Sequence, residues 1–463
     1  MLLTNAECLN FDAGGQLSLT RQSIRIERGI ISELGVLSPA ADEKIFDVKG
    51  GAVFPGLHDH HVHLASYAAS LGSVNCGPPG VSNAIALIDV LNQHDGNSWL
   101  RGVNYHESVA GDIDRAWLDL NGPPRPIRIQ HRTGRLWILN SLALDAIDNH
   151  DLPADGRLYE SDHLIRSSGL PKLPLAEVSQ RLASYGVTGA NDMTPSNDGD
   201  TLNLFSAARK DKSFRQKLRL SGSPKLSQAH EPLDASITIG ETKVHLHESW
   251  LIDFDIFCNI IRASHAQSRP VAVHCVTETE LVFTLSAFQT AGTIQGDRIE
   301  HASVIPTPTI ELIHTLNLLI VTQPNFIRER GDTYLADIKP KEHHTLYRCR
   351  SLQTAGISVA FGTDLPFGLP DPWVAIDAAT TRTTHAGNVI GTDEIITPEA
   401  ALAAYLGGLD SPAKPRRITS GDPADLCIME KPWSVARQGL SSVLVRCTMI
   451  DGELIYCKDS STE

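Results

Sequence analysis

The chain has no long apolar run, no C-x-x-C cysteine pair and no block of positive charge. No stretch approaches the roughly 20 apolar residues that cross a bilayer, so no membrane partner is expected. The N-terminus, "MLLTNAECLNFDAGG", lacks a basic start ahead of an apolar core, so it does not read as a secretory leader. The eight cysteines are scattered, at positions 8, 76, 258, 275, 349, 427, 447 and 457. That usage predicts buried thiols in a cytoplasmic protein rather than a disulfide framework. Basic side chains are outnumbered, 40 against 54 acidic, which gives a formal charge of −14. The densest basic run is "KPRR" at 414–417, read as a solvated turn. Nucleic acid and anionic membrane surfaces are therefore not the expected partners.

At 463 residues the chain is longer than one ordinary domain and can bury a sizeable core. Its two ends read as short strands and turns. "SIRIERGIISELG" alternates on both sides of Arg28-Gly29, and "SSVLVRCTMIDGELIY" carries an Asp451-Gly452 turn. The ends, 1–53 and 411–463, are expected to form one small β-sandwich domain. The middle, 54–410, alternates strand and helix. Candidate strands are 186–192, 217–222, 242–247, 270–275, 298–303, 317–323 and 358–364, with "AVFPGLHDHHVH" as the first. Eight strands with helices between them point to an α/β fold, a (β/α)₈ TIM barrel. Residues 94–170 break this rhythm and read as a small α/β insertion after the first barrel strand.

The stretch "FPGLHDHHVHL" holds four histidines. Residues two apart in a strand share a face, so His61 and His63 pair, as do His58 and His60. Barrel chemistry gathers at the C-terminal ends of strands, which favours the later pair. Lys243, His274, His301 and Asp364 fall near the ends of other strands that otherwise look buried. A buried charge is costly unless paired or metal-bound, so several in this order suggest a coordination shell. Imidazole and carboxylate donors suit Zn²⁺, and also Mn²⁺, Fe²⁺ or Co²⁺. His245 and His247 share the face of Lys243 and are further candidates to ligate or to line the site.

The same residues carry a family resemblance. "PGLHDHHVHL" resembles the PG-x-x-D-x-H-x-H opening of the amidohydrolase superfamily, through Pro55, Gly56, Asp59, His61 and His63. "RIEHA", "FGTDLPFG" and "GDPADL" resemble its later signatures. "HRTGRLWILNSLAL" and "DGRLYES" look most like the branch of N-substituted formamide deformylases and exoenzyme-regulator-like proteins. The resemblance implies a metal held by His61, His63, His274 and His301, with Asp364 ligating it or beside it as general base and proton shuttle. His301, if not a ligand, would help stabilise the developing oxyanion. Lys243 stands where many relatives carry a carboxylated lysine bridging two metals, so one or two ions are expected. The implied reaction is hydrolysis of a C–N bond of a small molecule by metal-activated water: an amide, formamide, carbamate or cyclic ureide. A deaminase on the same scaffold and a non-catalytic metal-binding regulatory protein are the alternatives. Departures from the branch pattern fall at "HCVTE", at "HLHES" and at Gly134-Arg135, near the expected substrate site. Arg135, Glu160 and His247 are the candidate substrate-binding residues. A homo-oligomer is compatible with the sequence, which sets no copy number.

Overall fold

A computed structural model describes residues 1–12, 15–78, 80–94, 99–147, 152–159, 173–228, 234–440 and 445–458. The contacts divide the chain into two compact units, Met1–Leu64 with Leu175–Glu463, and Ala65–Pro174. The strands, in chain order, are β1 (Leu2–Phe11), β2 (Leu17–Glu27), β3 (Ile30–Gly35), β4 (Ile45–Asp47), β5 (Ala52–Pro55), β6 (Leu57–Val62), β7 (Val74–Asn75), β8 (Leu100–Tyr105), β9 (Ile127–His131), β10 (Leu136–Leu139) and β11 (Arg157–Tyr159). They continue as β12 (Val187–Asp192), β13 (Lys217–Gly222), β14 (Ile237–His245), β15 (Val271–Cys275), β16 (Arg298–His301), β17 (Leu319–Thr322), β18 (Val359–Phe361), β19 (Leu426–Met429), β20 (Val445–Ile450) and β21 (Glu453–Cys457).

The barrel is the sheet β6-β12-β13-β14-β15-β16-β17-β18, every neighbouring pair parallel. It closes through the parallel bridge of Val62 with Leu365. The Asp364 and His63 amides there donate to the carbonyls of His61 (2.8 Å) and Leu365 (2.9 Å). Gly362 makes this seam possible, because a Cβ on it would lie 2.5–2.9 Å from Cβ, N and Cα of His61. Helices between strands follow their caps. Glu278–Ala291 starts on a full capping box of Thr277 and Glu280, and Pro398–Ala403 on Thr397 with proline in its first turn. A core of Phe257, Ile261, Val271, Val273, Leu281 and Phe288 ties helices to β15.

The single strand expected from "AVFPGLHDHHVH" is two. Gly56 separates β5, which pairs with β1 and β19, from β6 of the barrel. Both chain ends meet in one eight-stranded sheet, β21-β20-β19-β5-β1-β2-β3 with β4 beside β1. Its two expected turns have left-handed backbone at both central residues, Arg28 (φ 52°) and Gly29 (81°), and Asp451 (47°) and Gly452 (74°). That is the two-residue turn whose twist suits a hairpin.

Three expectations need correction. Cys447 and Cys457 are disulfide-bonded, while the other six cysteines are free and buried. A register shift at Thr448/Met449 sets Cys447 opposite Cys457, a pairing that simple counting from the turn misses. The inserted unit begins at Ala65 rather than 94. Its sheet, β11-β10-β9-β8-β7, starts with β7, and Leu87 and Leu91 of helix Ala84–Gln93 belong to its core. Arg416 of "KPRR" is not a solvated turn residue: its guanidinium donates to the carbonyls of Gly56 and Leu406, the latter at 3.2 Å.

Candidate active site

Six of the residues singled out in the sequence stand at the C-terminal ends of barrel strands. His61 lies on β6 and His63 just past it; Lys243 is on β14, His274 on β15, His301 ends β16 and Asp364 follows β18. His61, His63 and Asp364 offer ligand atoms that all lie within 4.8 Å of one another. The Nε2 atoms of His61 and His63 are 3.5 and 3.3 Å from Asp364 Oδ1. The His301 ring centroid is 4.7 Å from that of His61 and 4.4 Å from that of His274. His61, Lys243, His301 and Asp364 are buried and His274 is half-buried.

What fixes these rings are partners at Nδ1. His61 Nδ1 donates to the Glu300 carboxylate. His301 Nδ1 donates to Gln323 Oε1 at 2.8 Å, and His63 Nδ1 pairs with Thr194 Oγ1 at 2.9 Å. A carboxylate or amide oxygen can only accept, so in His61 and His301 the proton sits on Nδ1 and Nε2 keeps its lone pair. Glu300, Gln323 and Thr194 were not singled out from the sequence. The signal for Glu300 is its place between Arg298 and His301 in β16, a buried strand whose one apolar residue is Ile299.

The backbone is also unusual here. His301 (φ 66°), Ala302 (47°) and Asp364 (59°) are left-handed, a conformation that non-glycine residues hold only where their surroundings impose it. For Asp364 the imposing contacts are visible. Its amide donates to His61, its carbonyl accepts from Phe367 (2.7 Å) and Gly368 (3.0 Å), and Phe367 sets its ring against His63 at 5.4 Å. Asp59 locks the same seam, accepting from the Thr363 amide (2.9 Å) and hydroxyl (2.6 Å) and from the His61 amide (3.3 Å). Burial raises the pKa of Asp59 to about 7.

Electrostatics suit ligation. Burial, reinforced by Lys243 and His301, holds His61 well below the usual imidazole range, and burial likewise lowers His274 and His301. Burial pushes the Lys243 ammonium down to about 8, against the opposing pull of Glu300. Burial would raise Asp364, but the hydrogen bond from His63 and the neighbouring imidazoles outweigh it, and its carboxyl lies below the usual range. Lys243 Nζ is buried without a hydrogen-bond partner among the described residues, and Asp364 Oδ1 is buried against the Nε2 atoms of His61 and His63. Unpartnered buried polar atoms are costly. A divalent metal between Asp364 Oδ1 and the bare Nε2 atoms would take up their lone pairs, and Lys243 would join them only as its anionic, carboxylated form, so the residues present fit the group.

The other candidates fall elsewhere. His58 and His60 are buried, and their ring nitrogens have no hydrogen-bond partner among the described residues. Strict alternation does not hold across these four histidines: Asp59 pairs with Ala190 and Val62 with Asp192, so β6 carries an extra residue. His247 is half-buried, two residues past β14, with its Nδ1 on Ser249 Oγ at 2.8 Å. His245 ends β14 exposed and stacks on His274, ring centroids 4.1 Å apart. Arg135 is exposed in the turn between β9 and β10 of the inserted unit. Glu160 lies outside the described residues. Trp137 packs in the inserted unit's own core with Leu139, Ala143 and Leu158.

A parallel eight-stranded barrel with a histidine and aspartate cluster at its strand ends is a scaffold that can hold a metal ion. The chain belongs to the amidohydrolase family, which it matches over residues 44–456. It is 24% identical to the N-substituted formamide deformylase of Arthrobacter pascens, over 100% of this chain and 99% of that one. Among solved structures it is similar to an uncharacterized metal-dependent hydrolase of Pyrococcus horikoshii, with a TM-score of 0.78 and 20% identity over 93% of this chain and 97% of that one. It also resembles a guanine deaminase of C. acetobutylicum, at a TM-score of 0.57 and 12% identity over 98% and 99%. The protein is thus a hydrolase acting on C–N bonds and a member of a metal-dependent family. Among the described residues no helix is long and apolar enough to cross a membrane.

Proposed function

We propose that the protein cleaves the C–N bond of a small-molecule amide, formamide, carbamate or cyclic ureide, with Asp364 as general base. The observation that carries this reading is the convergence of His61, His63 and Asp364 within 4.8 Å. His61, His63, His274 and His301 would hold the metal, Zn²⁺ first among the candidates, with Asp364 beside it. When bound, such an ion lowers the pKa of water from 15.7 toward about 7 and polarises the substrate carbonyl. Asp364, ionised at neutral pH, takes a proton from the attacking water and returns it to the leaving nitrogen. The partnered Nδ1 atoms of His61 and His301 keep their rings from turning as charge develops. Lys243, with its amine buried and unpartnered, is suited to carboxylation and to a second ion.

His247 and Arg135 are proposed to orient the substrate, with Glu160 as a further candidate. Arg135→Ala is expected to lower kcat/KM strongly with metal content unchanged. The formamide deformylase relative favours a formamide among the four substrate classes. The test is a panel of N-substituted formamides, amides, carbamates, cyclic ureides and aminopurines, run on zinc-replete protein with and without chelator. Turnover of a carbonyl substrate, lost with chelator and restored by zinc, supports the proposal. Ammonia release from the aminopurines alone would move the reading to a deaminase, and no turnover at full metal occupancy would move it to a regulatory metal-binding protein.

A further inference from the structure

We infer that Glu300 is the positioning residue for His61, and that Arg298, Glu241 and Arg219 complete a charge-balanced column that holds it. The inference rests on the reading of His61 as a metal ligand. Glu300 is fully buried on β16, and its carboxylate accepts from His61 Nδ1 and from Arg298 Nε and Nη2, the last at 3.2 Å. Arg298 is equally buried. Its Nη2 donates to the His60 carbonyl at 2.7 Å, and its Nη1 faces Glu241 Oε1 at 3.7 Å. Glu241, on β14, accepts from Ser221 Oγ (2.5 Å) and from Arg219 Nε of β13 (3.2 Å). The column therefore crosses from β13 through β14 and β16 to β6.

Two guanidinium groups face two carboxylates, so the column carries no net charge. That balance is what allows four ionised groups inside a barrel, where one left alone would be very costly. The members have different jobs. Glu300 touches His61: as an acceptor it keeps the proton on Nδ1 and the lone pair on Nε2. Arg298 reaches the His61 ring only through Glu300, and by its bond to the His60 carbonyl it anchors that carboxylate to the backbone of β6. Removing Glu300 frees the His61 ring to take the other tautomer. Removing Arg298 leaves an acceptor in place and costs stability instead.

The test separates these roles on the purified full chain, by zinc affinity from competition with a chromophoric chelator alongside thermal unfolding. The double variant Arg298→Met/Glu300→Leu leaves neither charge alone. It is expected to fold and to bind zinc about 10–100-fold more weakly. Arg298→Met alone is expected to lower Tm while keeping wild-type zinc affinity. Wild-type affinity in the double variant overturns the inference, and so does an equal loss in both, since that is what a merely structural column would give. A third measurement needs neither of these variants to fold: the nitrogen-15 spectrum of the wild-type apoprotein, with the His61 signal identified by its absence in His61→Asn. A protonated Nδ1 supports the assignment, and a protonated Nε2 overturns it. If His61→Ala keeps its full zinc, the ligand reading fails while the tautomer result stands.

Discussion

His61, His63 and Asp364 in the barrel have a counterpart in His106, His131 and Glu107 of the inserted unit: two imidazoles and a carboxylate in each. In the second group both Nε2 atoms also face one carboxylate, Glu107 Oε2, at 3.6 Å from His106 and 3.2 Å from His131. The difference lies at the other ring nitrogen. His106 Nδ1 accepts from the Ser108 amide and His131 Nδ1 from the Thr133 amide, each at 3.2 Å. A backbone N–H can only donate, so the neutral rings carry their proton on Nε2, and His131 gives its proton to Glu107. Those imidazoles act as caps and turn-formers; His106 is the N-cap of the helix Glu107–Ala110. In the barrel the assignment is reversed at His61, whose Nδ1 meets an acceptor and whose Nε2 is left bare. Residue type and spacing do not tell a ligand from a cap, whereas the hydrogen bond on the far side of the ring does.

The largest effect expected is at His61 and His63. Replacing either with alanine should strip the metal and lower activity by at least about a thousandfold, whereas His106→Ala and His131→Ala keep full metal. Elemental analysis of the four variants checks this, and loss of metal from the insertion variants would erase the contrast. Next is Asp364→Asn, expected to cost about 10²–10⁴-fold in kcat. Asparagine tolerates the left-handed backbone at this position, so an unchanged unfolding midpoint should accompany that loss.

A smaller effect concerns pH and the metal-free fold. Burial, followed by the nearby Arg298 and Arg416, lowers the pKa of His60 to about 3, below its unfolded value of 6.5. The folded state then binds fewer protons than the unfolded chain once the pH drops below 6.5. The contribution of His60 is complete above 6.5 and is lost as pH falls toward 3, at about 1.4 kcal/mol per pH unit. Denaturant unfolding of wild type and His60→Gln between pH 4 and 8 should show the slope in the first and a reduced slope in the second. The smallest effect is expected at His131→Ala, which removes the cap on the Thr133 amide. It should cost about 1 kcal/mol of stability with kcat unmoved. A large fall in kcat there would give the inserted cluster a role in the reaction.

Much of the barrel was legible because its strands are short, buried and separated by capped helices. "KLRLSG" gave β13 residue for residue, and Thr277 opened its helix as a cap should. The ordered set at the strand ends was legible for a related reason: an ionisable residue in a buried strand stands out. The Nδ1 partners were not, because Thr194, Gln323 and Glu300 meet their rings only once different strands are side by side. Glu300 shows the limit well, since it precedes His301 in sequence yet serves His61, 239 positions away. The extra residue in β6 and the shifted pair behind the disulfide were hidden too, because a bulge leaves no local signature in composition.

The left-handed backbone at His301 and Asp364 bears on how such a protein can change. At both places the chain turns out of the barrel at a candidate site residue, and Asp364 is pinned by main-chain hydrogen bonds on either side. Beyond Gly368, the last residue seen to hold Asp364, the chain can therefore lengthen, shorten or change composition without dragging on that carboxylate. Substrate preference and metal chemistry become separately adjustable parts: new selectivity can be tried in the loops while the reaction centre stays in register.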